Sequence, residues 1–335
     1  MLYFPVCAEH YLKRMFQSGC YPHNCLLTFG PTNLSAFRLL KQNPNLKHLL
    51  IDSGTYSLGE KAKKEGVKVT EDMLNEHTQR YKAFLKEAKA VLGAPFMFVE
   101  VDVGTLGRPP TLTYKYRQQL KELSAEIGCP LMVVWHGTEE PLSVLWGYKE
   151  TEPYVAIGSP FISQISMSPF IKVTLLNLLA YPLVREKVWV HQFMQGSLLF
   201  FLYGVATSAD STGWLRKATH NQMLARLNSL SPYITKVTRY SVPPVLRAVK
   251  DKFCVSYYYY ELLEAISEER RPINLAIWED LYKQVGWDDV FKGRKEDLVK
   301  VATDLTRTRF HDIFYDLDKV EAVFKTALKG GSNLE

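Results

Sequence analysis

Six short polar segments of the chain each follow a run of apolar residues, and their side chains are of types that handle protons or bind polar ligands. The segments contain Asp52, Asp102, His136, Gly158 with Ser159, His191 with Gln192, and Asp210. If the apolar runs are parallel strands of a barrel, these segments lie at its carboxyl-terminal face, where barrel enzymes place catalytic groups. Carboxylates at such a face can bind a metal ion, or act as nucleophile and general acid/base at an acetal-like carbon. No metal-ligand cluster accompanies them, which favours the second chemistry, although each Asp could also be a helix N-cap.

The apolar runs have the length of buried strands. They are Cys25–Phe29, His48–Ile51, Pro95–Val101, Leu131–Trp135, Tyr154–Ile157, Val188–Val190, a shorter segment around Gly204 to Ser208, and Ile234–Ser241. Helices are predicted between them, over Asn33–Lys41, from the cap Thr70 to near Gly93, and over Tyr114–Ile127, Glu139–Tyr148 and Trp214–Leu227. About eight β-then-α units predict an α/β fold of the (β/α)8 TIM-barrel type. No Gly-x-Gly-x-x-Gly follows the first run, which disfavours a dinucleotide-binding sheet.

The pattern changes near Pro243, where the strand-and-helix alternation ends. Residues 1–242 are predicted to form the barrel, and residues 243–335, with the run Tyr257–Tyr260, a helical extension packed on it. The 335 residues are 47% hydrophobic and 23% charged, which excludes disordered, collagen-like and disulfide-framework classes. No run approaches the length of a membrane span, and the start Met1–Val6 does not resemble a signal peptide, so we expect a cytoplasmic protein.

Cysteine and histidine residues near the start of the chain are the one candidate for a metal site. Cys7, His10, Cys20, His23 and Cys25 could ligate zinc, but their spacing matches no known knuckle, and free cysteines are commonly buried hydrophobes. We therefore expect no metal and keep zinc as the alternative. His77, His220 and His311 are predicted to be surface or helix histidines.

Basic residues are concentrated between Ser211 and Lys252. The window contains eight cations, Arg216, Lys217, Arg226, Lys236, Arg239, Arg247, Lys250 and Lys252, against Asp251 alone, while the whole chain carries a net charge of +6. Such a concentration is typical of a surface that binds a polyanion, and a solvated basic surface is the alternative. The first six of these cations are predicted to contact nucleic acid.

Three of the strand-end motifs resemble a known family. Asp52-Ser-Gly-Thr-Tyr56 is similar to the Asp-Ser-Gly-Gly-Tyr/Phe motif of tRNA-guanine transglycosylases, and Tyr154-Val-Ala-Ile-Gly158-Ser resembles their strand ending in Ala-Ile-Gly-Gly. Ala209-Asp210-Ser-Thr-Gly-Trp214 resembles the Val-Asp-Ser-Thr-Ser-Trp element of the phage and mobile-element branch, which inserts 7-deazaguanines into DNA. The resemblance covers residues 24–240 and follows the order of the motifs in the family.

The resemblance implies a role for each matching residue. Asp210 would be the nucleophile and Asp52 the general acid/base; Asp102 would read the edge of a guanine-like base, and Tyr56 would stack on it. Gly158 would contribute a backbone contact near the base. The other strand-end residues predicted to bind substrate are Ser53, Gly54, His136, Ser159, His191, which could stack on a planar base, and Gln192. The implied partners are DNA or tRNA and a free 7-deazaguanine base, and no cofactor is implied.

The chain also departs from the family. Thr55 replaces the second Gly, and His136-Gly137-Thr138 stands where relatives have His-Gln-Gly, so a base-contacting Gln is absent or displaced. After the nucleophile only Cys254 and His220 could belong to the zinc site of the tRNA enzymes, which favours the DNA branch. A tRNA-guanine transglycosylase, a carbohydrate hydrolase with a carboxylate pair and a non-catalytic nucleic-acid-binding protein remain as alternatives.

Overall fold

The fold is that of a computed structural model, which describes residues 1–30, 32, 34–106, 108–137, 140–158, 168–193, 198–211, 252–285 and 295–314. Eight strands form a closed barrel, and their order around the barrel follows their order in the chain. The strands are β1 (Leu2–Cys7), β2 (Asn24–Thr28), β3 (His48–Asp52), β4 (Met97–Val99), β5 (Leu131–Trp135), β6 (Tyr154–Ile157), β7 (Trp189–Gln192) and β8 (Ser208–Ser211). The pairs from β1 to β7 are parallel, and the register of β2 on β3 runs from Asn24 opposite His48 to Thr28 opposite Asp52.

Helices alternate with the strands and continue after the barrel. They are α1 (Glu9–Gln17), α2 (Leu34–Lys41), α3 (Thr55–Lys64), α4 (Glu71–Leu92), α5 (Pro110–Ile127), α6 (Leu142–Thr151), α7 (Pro169–Arg185), α8 (Leu198–Tyr203), α9 (Lys252–Val285), α10 (Lys295–Thr308) and α11 (Phe310–Phe314), with a 3₁₀ helix at Gly104–Leu106. The predicted (β/α)8 barrel is therefore confirmed, and so are the predicted helices in the carboxyl-terminal part of the chain. None of the described helices is both long and apolar enough to cross a membrane.

The local signals for α4 illustrate why several predicted boundaries hold. The Thr70 hydroxyl accepts a hydrogen bond from the Met73 amide at 3.3 Å, as an N-cap does. The helix ends at Gly93, whose φ of 71° lies in the left-handed region that glycine adopts without strain.

The predicted run Cys25–Phe29 is confirmed as β2, but the sequence missed the strand before it and placed the last barrel strand too late in the chain. The barrel begins with Leu2–Cys7, which contains Pro5, and a proline argues against a strand because it cannot donate to the ladder. The last strand is Ser208–Ser211 and not the predicted Ile234–Ser241, which lies outside the described residues, as does the predicted helix Trp214–Leu227.

The chain divides into two compact units. The strand-rich unit comprises Phe4–Ile165 and Val188–Phe193, and the helix-rich unit comprises Met1–Tyr3, Ser166–Lys187 and Met194–Glu335. The boundary predicted at residue 242 lies outside the described residues.

Within the helix-rich unit, α9 is held by polar and aromatic contacts. Tyr3 stacks on Tyr260 with ring centroids 4.2 Å apart, which ties α9 to the start of the chain. Arg270 Nε and Asn274 Nδ2 both donate to the Leu202 carbonyl, at 2.7 and 3.0 Å, which ties α9 to α8. The tyrosine-rich segment is thus part of a helix with buried tyrosines.

Candidate functional site

The Asp52-Ser-Gly motif forms the turn that connects β3 to α3. The Gly54 amide donates to Asp52 Oδ2 at 3.3 Å, so the carboxylate is held by its own turn. Gly54 has a φ of 71°, and a Cβ there would collide with the Phe29 carbonyl oxygen, so glycine is required. The buried Ser53 hydroxyl bonds the Thr55 hydroxyl at 2.9 Å. Ser53 and Gly54 therefore shape the turn that presents Asp52.

Two side chains of α4 fasten this turn and the strand beside it. His77 Nε2 donates to the Ser53 carbonyl at 2.8 Å, and burial lowers the pKa of this imidazole. The buried Tyr81 hydroxyl lies 2.9 Å from the Ile51 carbonyl and 3.0 Å from the Val99 carbonyl. His77, predicted to be a surface or helix histidine, lies on a helix and has a positioning role.

Asp102 and His136 form a buried ion pair beyond the ends of β4 and β5. His136 Nε2 contacts Asp102 Oδ1, and the same oxygen accepts from the Gly104 amide at 3.1 Å. Asp102-Val-Gly104 thus repeats the Asp-x-Gly turn of Asp52-Ser-Gly54. Both side chains of the pair are buried. The structure therefore brings these two predicted residues into direct contact.

Two glycines leave room for the His136 ring. A Cβ on Gly104 would lie 2.7 Å from His136 Cδ2, and a Cβ on Gly158 would lie 3.0 Å from His136 Nδ1. The Gly158 amide donates to the Trp135 carbonyl at 2.8 Å, which fixes the position of the Gly158 backbone. The Nδ1 atom is buried and has no hydrogen-bond partner among the described residues. The geometry thus leaves a polar ring atom beside a position that carries no side chain.

Neighbouring carboxylates control the charge of His136. Burial lowers the pKa of the imidazole, but the Asp102 carboxylate, and more weakly Glu140 and Glu100, outweigh it, so that the pKa is raised. Glu140 also orients the residue, because its Oε2 accepts from the His136 amide at 3.2 Å. The other Glu140 oxygen accepts from Tyr114 at 2.9 Å. The arrangement favours an imidazolium paired with a carboxylate.

A second buried ion pair supports the strands that carry this site. Arg117 of α5 binds both oxygens of the fully buried Glu100, at 2.6 and 2.8 Å, and Glu100 Oε1 accepts from the Val134 amide at 2.7 Å. Arg117 also donates to the Tyr148 hydroxyl at 2.9 Å. The network connects α5 and α6 to β4 and β5 just before Asp102 and His136.

His191 and Gln192 lie on β7, opposite Ala156 and Ile157 of β6. His191 has no exposed surface, and its ring packs against Phe4 and Phe193 with centroid distances of 5.8 and 4.9 Å. Gln192 is buried as well. Consecutive strand residues point to opposite faces, and both are covered because strands of an α/β barrel are buried on both sides.

Tyr56 is placed differently from the buried residues. It lies on the first turn of α3, its side chain is 64% exposed, and it lines a groove beside α3. The ring therefore faces a surface groove of the strand-rich unit.

Asp210 lies in β8, within the helix-rich unit. It is buried, and so is the next residue, Ser211, whose carbonyl accepts from the Tyr3 hydroxyl at 2.9 Å. Ser159 and the predicted nucleic-acid-binding residues lie outside the described part of the chain; these are Arg216, Lys217, Arg226, Lys236, Arg239 and Arg247. His220 lies outside it as well.

The five residues considered as zinc ligands lie in the described part of the chain. Cys7, Cys20 and Cys25 are buried free thiols, and burial together with the Cys7 thiol raises the pKa of Cys25 well above its ordinary value. Within the described ranges, no group of three or more His, Cys, Asp or Glu side chains is arranged to hold a metal ion.

Three residues that shape the site are not among those predicted from the sequence. Gly104 could have been found from the Asp-x-Gly pattern that it shares with Gly54. Glu140 contacts the His136 amide and His77 contacts the Ser53 carbonyl, and no local sequence motif predicts either contact.

No family model matches this chain, and no curated protein sequence does. Among solved structures, the chain is similar to the crystal structure of dihydrodipicolinate synthase from Bacillus clausii, with 10% sequence identity and a TM-score of 0.36. The alignment covers 92% of this chain and 97% of that chain. Any function must therefore be argued from this chain's own residues, and a closed barrel with polar residues at its strand ends is consistent with an enzyme.

Proposed function

We propose that this protein is a DNA-guanine transglycosylase, which replaces guanine in DNA by a 7-deazaguanine such as 7-cyano-7-deazaguanine. The proposal rests on the resemblance of the strand-end motifs and on one observation in the structure. That observation is the buried Asp102–His136 pair beside Gly158.

The pair is chemically complementary to the edge of guanine. A carboxylate has about four lone-pair sites, so Asp102 can accept from a guanine N–H in addition to Gly104 and His136. A protonated His136 can donate from Nδ1 to the guanine carbonyl oxygen. Because a 7-deazaguanine has the same N–H donors and carbonyl, the two bases would be bound alike.

In the proposed reaction, the target nucleotide first leaves the base stack, since its C1′ carbon is otherwise out of reach. A carboxylate oxygen of Asp210 attacks C1′, the bond from C1′ to the guanine nitrogen breaks, and Asp52 donates a proton to the departing base. The product is a glycosyl ester of Asp210 and free guanine.

The second step reverses the first with a different base. Asp52 removes the proton from N9 of the incoming 7-deazaguanine, whose nitrogen attacks C1′ and releases Asp210. A 7-deaza base lacks the N7 whose protonation helps a purine leave, so the exchange runs in one direction. No external oxidant, metal or nucleotide cofactor is required.

The DNA branch is preferred over the tRNA branch on the sequence alone. Cys254 is the one cysteine in the sequence after Asp210, too few for the Cys-rich zinc site of the tRNA enzymes, and the Asp210 element resembles that of the DNA branch. Both branches would use the same aspartates, so the polymer must be decided by experiment.

The test is base exchange in two polymers. The protein is incubated with 7-cyano-7-deazaguanine and guanine-labelled DNA, or separately labelled tRNA, and label release is followed with mass analysis of the nucleosides. We expect release from DNA with a matching deazaguanosine peak. Release from tRNA alone would assign the protein to the other branch, and release from neither by folded protein would refute the proposal.

Variants separate the chemistry from the fold. Asp210→Asn and Asp52→Asn should each lose exchange by about 10³-fold or more, and Asp210→Asn should form no denaturant-resistant adduct with DNA. Asp304→Asn, at an exposed position of α10, is the matched control and should retain exchange. An adduct formed by Asp210→Asn would contradict the assignment of the nucleophile.

A further inference from the structure

A groove of about 620 Å³ lies on the strand-rich unit beside α3. It is lined by Tyr56, Gly59, Glu60, Ala62, Lys63, Gly66, Val67, Lys68, Val69, Leu106, Arg108 and Pro109. The groove is therefore bounded by α3, the segment after it and the loop that follows Asp102.

The groove is built by specific contacts between these segments. A Cβ on Gly59 would collide with Leu106 Cδ2, so the glycine allows the 3₁₀ helix to pack on α3. The Arg108 guanidinium donates to the Val69 carbonyl, which ties the two walls together. Buried Ala62 and Val69 form an apolar floor.

Three side chains that line the groove, those of Tyr56, Lys63 and Lys68, can recognise a ligand. The Tyr56 ring is 64% exposed and contacts no other described ring. Lys63 and Lys68 are exposed and form no ion pair with a described residue. With Arg108, they give the lining three cations against the single carboxylate of Glu60.

This combination of an exposed aromatic ring and cations is what single-stranded nucleic acids bind. Bases stack on aromatic side chains whatever their sequence, and cations along a groove follow the phosphates. The groove also lies near the turn of Asp52 in the sequence, because Tyr56 is on the first turn of the helix that follows this turn.

We propose that this groove binds an unpaired stretch of nucleic acid next to the reacting nucleotide, with Lys63 and Lys68 contacting phosphates. In this proposal Tyr56 stacks on a neighbouring base, and not on the guanine-like base as the motif resemblance implies. The assignment extends the proposed function, since a flipped base leaves unpaired neighbours. The residues that line the groove are not part of the basic window between Ser211 and Lys252 in the sequence.

The test measures binding directly and does not depend on base exchange. Anisotropy is followed with the full chain and a fluorescein-labelled single-stranded DNA of about 15 nucleotides. Lys63→Glu/Lys68→Glu should weaken binding roughly tenfold and reduce the slope of log affinity against log salt by about 1.4. Lys41→Glu/Lys47→Glu changes the charge equally, at exposed positions outside the groove, and should have a much smaller effect.

Aromatic stacking is tested by a second pair of variants. Tyr56→Ala should weaken binding by roughly fivefold to 100-fold, whereas Tyr56→Phe should retain it. In a complex with 5-iodouracil DNA, irradiation should crosslink the tryptic peptide spanning residues 48–61, which contains Tyr56.

Equal losses in the two lysine pairs, or an unchanged affinity of Tyr56→Ala, would overturn the groove assignment. So would polyglutamate that competes as well as DNA, because the site would then be a binder of acidic chains. Groove-dependent DNA binding without base exchange would support the groove and refute the transglycosylase. Base exchange by the wild-type protein, together with unaltered DNA binding by the groove variants, would support the transglycosylase and refute the groove.

Discussion

At the scale of single residues, the site depends on where side chains are absent as much as on where they are present. His136 is enclosed by Asp102, by the backbone of Gly104 and by Gly158, and both glycines are positions where a Cβ would press on the ring. The imidazole is thereby held in one orientation with Nε2 on the carboxylate. Its other nitrogen, Nδ1, is buried without a hydrogen-bond partner among the described residues, and in the proposed function it donates to the bound base.

The first prediction concerns Gly158→Ala. A methyl group 3.0 Å from His136 Nδ1 should obstruct the ligand and weaken binding of 7-cyano-7-deazaguanine roughly tenfold, with a stability loss of about 1–3 kcal/mol from overpacking. Calorimetric titration and urea unfolding measure the two effects. Gly147→Ala, in an open position of α6, is the control; it should bind normally and gain about 0.5–1 kcal/mol. Unchanged base affinity in Gly158→Ala would contradict the role of Nδ1.

The second prediction concerns the charge of His136. Its pKa is raised in the folded protein by Asp102, Glu140 and Glu100, against the effect of burial. The imidazolium therefore stabilises the fold below its unfolded pKa of about 6.5, and this contribution is lost as the pH rises through the folded pKa.

The measurement is urea unfolding of wild type and His136→Gln at a series of pH values. The stability advantage of wild type should be largest at about pH 5–6, below the unfolded pKa of histidine, and should shrink toward about pH 9. An advantage that grows with pH would mean that burial dominates and that His136 is neutral in the fold.

At the scale of elements, helices behind the barrel hold the ends of the strands. Tyr81 and His77 of α4 fasten β3, β4 and the turn of Asp52, and Arg117 of α5 fastens β4 through Glu100. The ends of α4 were predictable because a Thr cap and a C-terminal Gly are local signals. The Glu100–Arg117 pair was not, because its partners belong to different elements whose facing sides are decided by packing.

The third prediction concerns Arg117→Met. The substitution leaves Glu100 buried without its counter-ion, and should cost about 3–5 kcal/mol in urea unfolding at neutral pH. Adding Glu100→Gln removes the unpaired charge and should restore most of the loss. The control is Lys115→Met, on the same helix as Arg117. It breaks an exposed pair with Glu71 of α4 and should change stability little. If Arg117→Met were as stable as Lys115→Met, the proposed supporting role of the Glu100–Arg117 pair would be contradicted.

At the scale of the whole molecule, the closed barrel and the charge distribution carry the functional argument. The strand-rich unit presents Asp52, Asp102 and His136 from three neighbouring strands, and Asp210 belongs to the strand that completes the barrel. The chain carries a net charge of +6, which its basic window between Ser211 and Lys252 alone exceeds. If the cations of this window contact phosphates, they supply affinity for a polyanion but no sequence specificity.

The fourth prediction concerns salt. If the six basic residues of the window contact phosphates, affinity for duplex DNA should fall on the order of 10³-fold between about 50 and 200 mM salt. Binding of the uncharged 7-cyano-7-deazaguanine, measured in the same buffers, should hardly change. A flat dependence for DNA would mean that the window is a solvated surface.

The sequence by itself determined the barrel class and the polar ends of most strands, because hydrophobic runs and helix caps are short-range patterns. It did not predict the first strand, because Pro5 argues against a strand there, and it misplaced the last strand of the barrel. Only the tertiary structure decided that Asp102 and His136 form a pair, that His191 is buried among aromatic rings, and that Tyr56 faces a groove. These facts depend on which faces of distant segments meet when the chain packs, and that information is spread over residues far apart in the sequence.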